Sequence, residues 1–168
     1  PAGGTDRGPR LVMSEDITIR MATVDDAPIV VHHRRAMFFD MGYTDPAALG
    51  AMDASFLPYV SQSLVDETYR GWLAHTSDGR VVAGSGLIVH AWPSRPVVPA
   101  QSRRAYVLNV YTEPDYRGRG IARRIMTEIV EWCRVQGFSS FSLHASIFGR
   151  PLYESMGFEP TNEMRLKL

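Results

Sequence analysis

The chain has 168 residues, 45% apolar and 21% charged, which suits one domain around one core and is too apolar for wholesale disorder. Its 18 basic and 18 acidic side chains cancel, so no long-range field draws in nucleic acid or an anionic membrane. The single cysteine, Cys133, excludes an intramolecular disulfide and a cysteine-based zinc site, and a reducing, cytoplasmic compartment is the simple reading.

No run approaches the roughly 20 apolar residues of a membrane-spanning helix, and residues 1–10 lack the apolar core of a secretory signal. Their Gly and Pro content reads as a flexible leader over residues 1–12, with Met13 a candidate start and the folded domain at residues 13–168. Residues 17–20 alternate apolar and polar, as a short edge strand does. Thr23, Asp25, Asp26 and Pro28 form a helix start, and Ile29, Val30, His33, Ala36 and Met37 continue at helical spacing. Residues 39–46 break that pattern and are expected to be a loop; a second helix is expected at residues 56–68.

A hairpin follows, with strands at residues 71–76 and 81–89 around Ser77-Asp78-Gly79. Gly84 and Gly86 inside the second strand imply a bulge or a close approach. Residues 90–102, with Pro93, Pro96 and Pro99, read as a loop, and residues 106–112 as a strong strand. Ile121, Ile125, Ile129, Trp132 and Cys133 then share one helical face, opposite Arg123, Arg124, Glu128 and Glu131, and Gly137 ends the helix. A strand at residues 138–145, a short helix at 151–156 and a closing strand at 163–168 complete a β-α-α-β-β-β-α-β-α-β order. That is a single α/β domain, a mixed sandwich around one sheet.

The segment carrying chemistry is Pro114-Asp115-Tyr116-Arg117-Gly118-Arg119-Gly120-Ile121-Ala122, between a strand and a helix. Unpaired amides at a helix N-terminus, with the helix dipole, hold phosphate oxygens. Gly118 and Gly120 permit close approach, and Arg117 and Arg119 add positive charge. Standing alone, Gly-Arg-Gly is often only a basic turn; its place at a strand-to-helix junction favours the phosphate site. Gly-Lys-Ser/Thr and Gly-x-Gly-x-x-Gly are both absent, which excludes the familiar nucleoside triphosphate and dinucleotide loops.

Here the sequence resembles the GCN5-related N-acetyltransferase superfamily, whose Gln/Arg-x-x-Gly-x-Gly/Ala signature is matched by Arg117, Gly120 and Ala122. The run Val107-Leu108-Asn109-Val110-Tyr111-Thr112-Glu113-Pro114 resembles that family's splayed fourth strand, and Leu152-Tyr153-Glu154-Ser155-Met156-Gly157-Phe158 its ending. With these motifs in family order, the resemblance covers about residues 17–168. It implies a mixed, mostly antiparallel sheet with a splayed pair of central strands, and acetyl-CoA as acyl donor without a metal. Amides of Arg117, Gly118, Arg119, Gly120, Ile121 and Ala122 would hold the diphosphate, and Val110, Tyr111 and Thr112 would pair with the pantetheine arm. Ser146 stands where many members have Asn, and Gly149 where they have Ala.

The implied reaction moves an acetyl group to a primary amine by direct transfer in a ternary complex. Tyr153 matches the family's general acid; a backbone amide near Val110 or Tyr111 would stabilise the developing negative charge. Glu113, His144 or a water chain would take the amine proton. The loop at residues 38–43, with Phe39, Asp40 and Tyr43, would border a small-molecule or peptide amine, unless these side chains simply pack the first helix. Cys133, on an apolar face, is no nucleophile, and His32 and His33, being adjacent, cannot converge on a metal. Rival readings are a non-catalytic acyl-CoA sensor and a detoxifying or resistance acyltransferase using another acyl-CoA. Homodimers are common among relatives, and the terminal strand and proline-rich loop could contribute to one.

Overall fold

The computed structural model describes residues 16–94, 96 and 102–166. The expected leader at residues 1–12, part of the proline-rich loop and the last two residues of the expected closing strand lie outside them. Strands β1 (Thr18–Met21), β2 (Tyr69–His75), β3 (Val81–Ala91), β4 (Arg103–Thr112) and β5 (Phe141–Leu143) form one sheet in sequence order. The first three pairings are antiparallel and β4–β5 is parallel. Helices α1 (Ala27–Asp40) and α2 (Pro46–Val65) cover one face and α3 (Ile121–Val135) the other; the short α4 (Arg150–Glu154) follows β5.

Side-chain alternation sorts the sheet into two cores. Trp72, Ala74, Leu87 and Val107 join Ile121, Ile125, Met126, Ile129 and Cys133 of α3, while Tyr69, Ile88 and Leu108 turn to Ala27, Val30, Phe56 and Val60 of α1 and α2. Gly86 belongs to the second core by its lack of a side chain: a Cβ there would stand 2.0 Å from the Tyr69 hydroxyl. Gly137, at φ 75°, ends α3 as its sequence implies, with the Phe138 N–H returning to the Cys133 carbonyl at 2.9 Å.

Three expectations need correction. The predicted loop at residues 39–46 is short: Phe39 and Asp40 form the last turn of α1, and α2 begins at Pro46, ten residues before the expected start. Asp45 accepts the Ala47 N–H at 3.0 Å and Pro46 follows it, a cap and first-turn pair that outweighs the interior Pro58. Pro58 is exposed, so water reaches the carbonyl whose helical partner it removes. The fifth strand spans three residues rather than eight, which leaves His144 just beyond it. Finally, residues 163–166 pair with no strand; Met164 and Leu166 stand exposed, since alternation without a sheet edge to join buries nothing. No helix among the described residues is long and apolar enough to cross a membrane.

Candidate active site

Val107 and Leu143 are the last paired residues of the parallel ladder. Beyond them β4 keeps only β3, and even that register slips: Asn109, at φ 56°, and Val110 together oppose Ser85. Such a bulge bends a strand and breaks its pairing. β4 therefore parts from β5 and opens a cleft of about 980 Å³, bounded by the end of α1, the turn before α3 and the start of α4.

The turn lies at one end of this cleft. After a tight turn at Pro114–Tyr116 the chain passes through Gly118 and Gly120, at φ 73° and 75°, where an added Cβ would meet nothing within 4 Å. The first bond of α3 runs from the Arg124 N–H to the Gly120 carbonyl at 3.1 Å. The N–H groups of Ile121, Ala122 and Arg123 therefore have no helical acceptor, and all three residues line the cleft. Main chain alone makes this end a receptor for negative charge. Arg117 braces it: its Nε donates to the Thr112 carbonyl at 2.9 Å and its Nη2 to Asp40 of α1.

The α4 wall carries Tyr153, whose phenol makes no hydrogen bond with any described residue. Burial pushes its pKa up to about 12, so the proton stays on the oxygen at neutral pH. A Cβ at residue 149 would stand 3.0 Å from the Tyr153 ring, so glycine there leaves the ring its place. The Ser146 hydroxyl accepts the Gly149 N–H at 3.1 Å and so holds the entry to α4. His144 is engaged at both nitrogens. Nε2 lies 3.2 Å from Arg165 Nη2 and 3.9 Å from Glu163 Oε1, and Nδ1 meets the Tyr106 hydroxyl.

Of the residues singled out from the sequence, Val110, Tyr111, Thr112, Arg117, Gly118, Gly120, Ile121, Ala122, Ser146, His144, Tyr153, Asp40 and Tyr43 line this one cleft. Three do not. Phe39 projects from α1 with 55% of its surface exposed. Arg119 lies over the Tyr116 ring and donates to the Asp115 carbonyl at 2.8 Å. Glu113 bonds to α1 instead, 3.2 Å from His32 Nε2 and 4.0 Å from His33 Nε2, and accepts the Tyr111 hydroxyl at 3.4 Å. His32 is exposed and His33 buried, and burial pulls the His33 pKa down to about 4. The Cys133 thiol is buried and raised to about 11, hence un-ionised. Among the described residues no group of His, Cys, Asp and Glu is placed to hold a metal.

Sequence reasoning passed over Arg34, Asn109 and Arg165, which also line the cleft. Arg34 lies between the Phe38 and Phe56 rings, 4.9 and 4.6 Å from their centroids, and its Nη1 donates to Asn109 Oδ1 at 2.7 Å. Asn109 Nδ2 in turn donates to the buried Tyr69 hydroxyl at 3.2 Å. A signal for both existed: Asn is among the non-glycine residues that most readily take positive φ, and Arg34 shares the helical spacing of Val30 and Met37 on the inward face.

Comparison with known proteins agrees with this architecture. The profile of the Acetyltransferase (GNAT) family matches residues 35–158. The crystal structure of a GCN5-related N-acetyltransferase from Ralstonia eutropha JMP134 superposes with a TM-score of 0.83 at 36% identity, over 91% of this chain and 99% of that one. A predicted acetyltransferase from Clostridium acetobutylicum, crystallised with acetyl-CoA, superposes at 0.81 with 26% identity, over 91% and 96% of the two chains. A probable N-acetyltransferase family 8 member 5 of Mus musculus is 28% identical over 116 residues, 64% of this chain. The matched region spans about half (51%) of that mouse protein. With most of its length matched by the family profile and a cleft formed where its central strands part, the chain belongs to the GNAT family of acetyltransferases.

Proposed function

We propose that this protein transfers the acetyl group of acetyl-CoA to a primary amine, both substrates being bound together in the cleft between β4 and β5. The observation that carries this reading is the cleft itself, open main chain of β4 along one wall and unpaired helix N–H groups at one end. The fit to the donor is physical: two cleft-lining glycines whose missing Cβ atoms leave open space, and three amides without helical acceptors, suit a diphosphate. When bound, acetyl-CoA supplies an acyl group activated as a thioester.

The chain's own groups do the rest. Past the bulge, alternate main-chain groups of residues 108–112 face the opening, where an extended arm can pair with them as an added strand. An N–H of Val110 or Tyr111 donates to the carbonyl oxygen on which negative charge develops. Tyr153, protonated throughout the physiological range, donates to the sulfur as it leaves. The amine must arrive neutral. With Glu113 turned to α1 and His144 Nε2 facing Arg165, its proton passes to water in the open cleft.

Replacing Tyr153 with Phe tests the assignment. The expected result is acetyl-CoA affinity within about threefold of the parent and turnover down by about 10²–10⁴, the usual size of a general-acid contribution. Unchanged release of free thiol would remove Tyr153 from the mechanism. Acetyl-CoA binding without release of thiol to any of a broad set of amines would leave a sensor in place of the enzyme.

A further inference from the structure

Of the arginines that line this cleft among the described residues, Arg34 alone is half-buried; Arg117, Arg123 and Arg165 are exposed, and Arg123 and Arg165, like Arg34, have no carboxylate partner, meeting Ser155 and His144 instead. Arg117 has Asp40, and the neighbouring Arg35 has Asp53 at 2.6 Å, yet Arg34 has no carboxylate partner among the described residues. Its Nε is buried without a hydrogen-bond partner, and its flat faces are covered by Phe38 and Phe56. Among the described residues its one hydrogen-bond partner is Asn109, a neutral acceptor. A half-buried guanidinium held in place by rings and an amide, lining a cleft and left without an anion, is organised to receive one. The other cleft-lining residues of α1 and the turn after it, Met37, Phe38, Met41 and Tyr43, are apolar or aromatic, and the one carboxylate among them, Asp40, is paired with Arg117.

We propose that the acceptor amine carries a carboxylate, that Arg34 is the specificity-determining residue that receives it, and that the substrate class is amino acids with an apolar side chain. This rests on the acetyl-transfer reading given above. Asn109, which positions the guanidinium, is followed directly by Val110 and Tyr111, the amides assigned to the acyl oxygen. Along β4 the two points are one or two strand residues, about 3–7 Å, apart, so a carboxylate held by Arg34 and an amine at the acyl group belong to one small molecule. One guanidinium balances one negative charge; a phosphate dianion would leave excess charge against apolar walls.

The test compares L-phenylalanine and L-methionine with their primary amides and with phosphoethanolamine, in the parent, Arg34→Gln and Arg34→Lys proteins. Free thiol release is followed at saturating acetyl-CoA, alongside calorimetry of L-phenylalanine binding in the presence of CoA. The amide's amine is less basic and more often neutral, so a preference for the acid runs against intrinsic reactivity. The parent should favour acid over amide in kcat/KM by about thirtyfold, the size of a charged hydrogen-bonded contact. Arg34→Gln should bring that ratio close to one, mostly through KM, and Arg34→Lys should restore part of it. A merely structural role would lower acid and amide alike and leave the ratio intact, which overturns the proposal. Equal use of acid and amide by the parent, or preference for phosphoethanolamine, also overturns it, and the parent ratio decides the matter even if the variants fail to fold. If no amine releases thiol, the acetyl-transfer reading falls by itself. Calorimetry then decides for Arg34: L-phenylalanine binding lost in Arg34→Gln upholds the carboxylate site, and no binding to the parent overturns it.

Discussion

The two ends of the cleft are built by different means. At the α3 end the receptor is main chain, two glycines at positive φ and the first amides of a helix, all within one continuous segment. At the α1 end it is side chain: Arg34 from α1, Asn109 from β4 and Phe56 from α2, joined through Tyr69 of β2. A main-chain receptor needs only the right local backbone and, on the proposed reading, would serve the donor common to every turnover. A side-chain receptor needs several elements in register, and one substitution can retune it.

Breaking the main-chain end should have the largest effect. Gly120→Glu forces a side chain into left-handed backbone and sets a carboxylate where the diphosphate would bind, so acetyl-CoA affinity should fall by about a hundredfold or more, roughly 3 kcal/mol. Calorimetry checks it, and affinity within threefold of the parent would discard the main-chain cradle. Breaking the other end from within the core comes next. Gly86→Ala puts a Cβ 2.0 Å from the Tyr69 hydroxyl and should cost about 2–3 kcal/mol in urea unfolding. It should raise KM for the amine while acetyl-CoA affinity holds; an unchanged midpoint would mean that Tyr69 swings aside freely.

Acid tests the α1 side without touching the turn before α3. His33 has a folded pKa of about 4 because burial disfavours its charged form, while in the unfolded chain it titrates near 6.5. Between those values the unfolded state binds the extra proton, so stability is intact above about pH 6.5 and declines as pH falls toward 4. Its share is about 2–3 kcal/mol at pH 4.5. Urea midpoints of the parent and His33→Gln at pH 7 and 4.5 should differ in pH dependence; identical slopes would exclude His33 as the cause. The smallest effect belongs to the contact that joins the two ends. Asp40→Asn removes the exposed partner of Arg117 and should shift stability by less than about 1 kcal/mol. By releasing Arg117 toward the diphosphate it should also tighten acetyl-CoA binding about two- to fivefold, and weaker binding would show that the pair shapes the turn.

The legibility of the site in the sequence follows the same division. The turn at residues 117–122 could be read directly because glycine at a strand-to-helix junction reports its own backbone. Tyr153 lay in a recognisable ending, and Ser146 stood where many members of the family have Asn. Glu113 and His144 were harder, since strand position alone does not say which partner a side chain finds. Glu113 met His32 across 81 residues of sequence, and the Arg165 side chain came to lie beside His144 from a segment with no strand pairing. Phe39 was misplaced because α1 runs one turn further than the break in its apolar spacing indicates.

Alternation, helical spacing, caps and glycines determined the order of elements as far as α4, the two-faced sheet and the glycine turn before α3, because each of these is set by neighbours within about one turn or one strand. The bulge that parts β4 from β5, the burial that holds Tyr153 and His33 neutral, and the seating of Arg34 between two rings were decided only in the tertiary structure. Such features depend on groups far apart in the chain, as Arg34 and Asn109 are at 75 residues, meeting at hydrogen-bond and van der Waals distance, and no local pattern of residue types carries that distance.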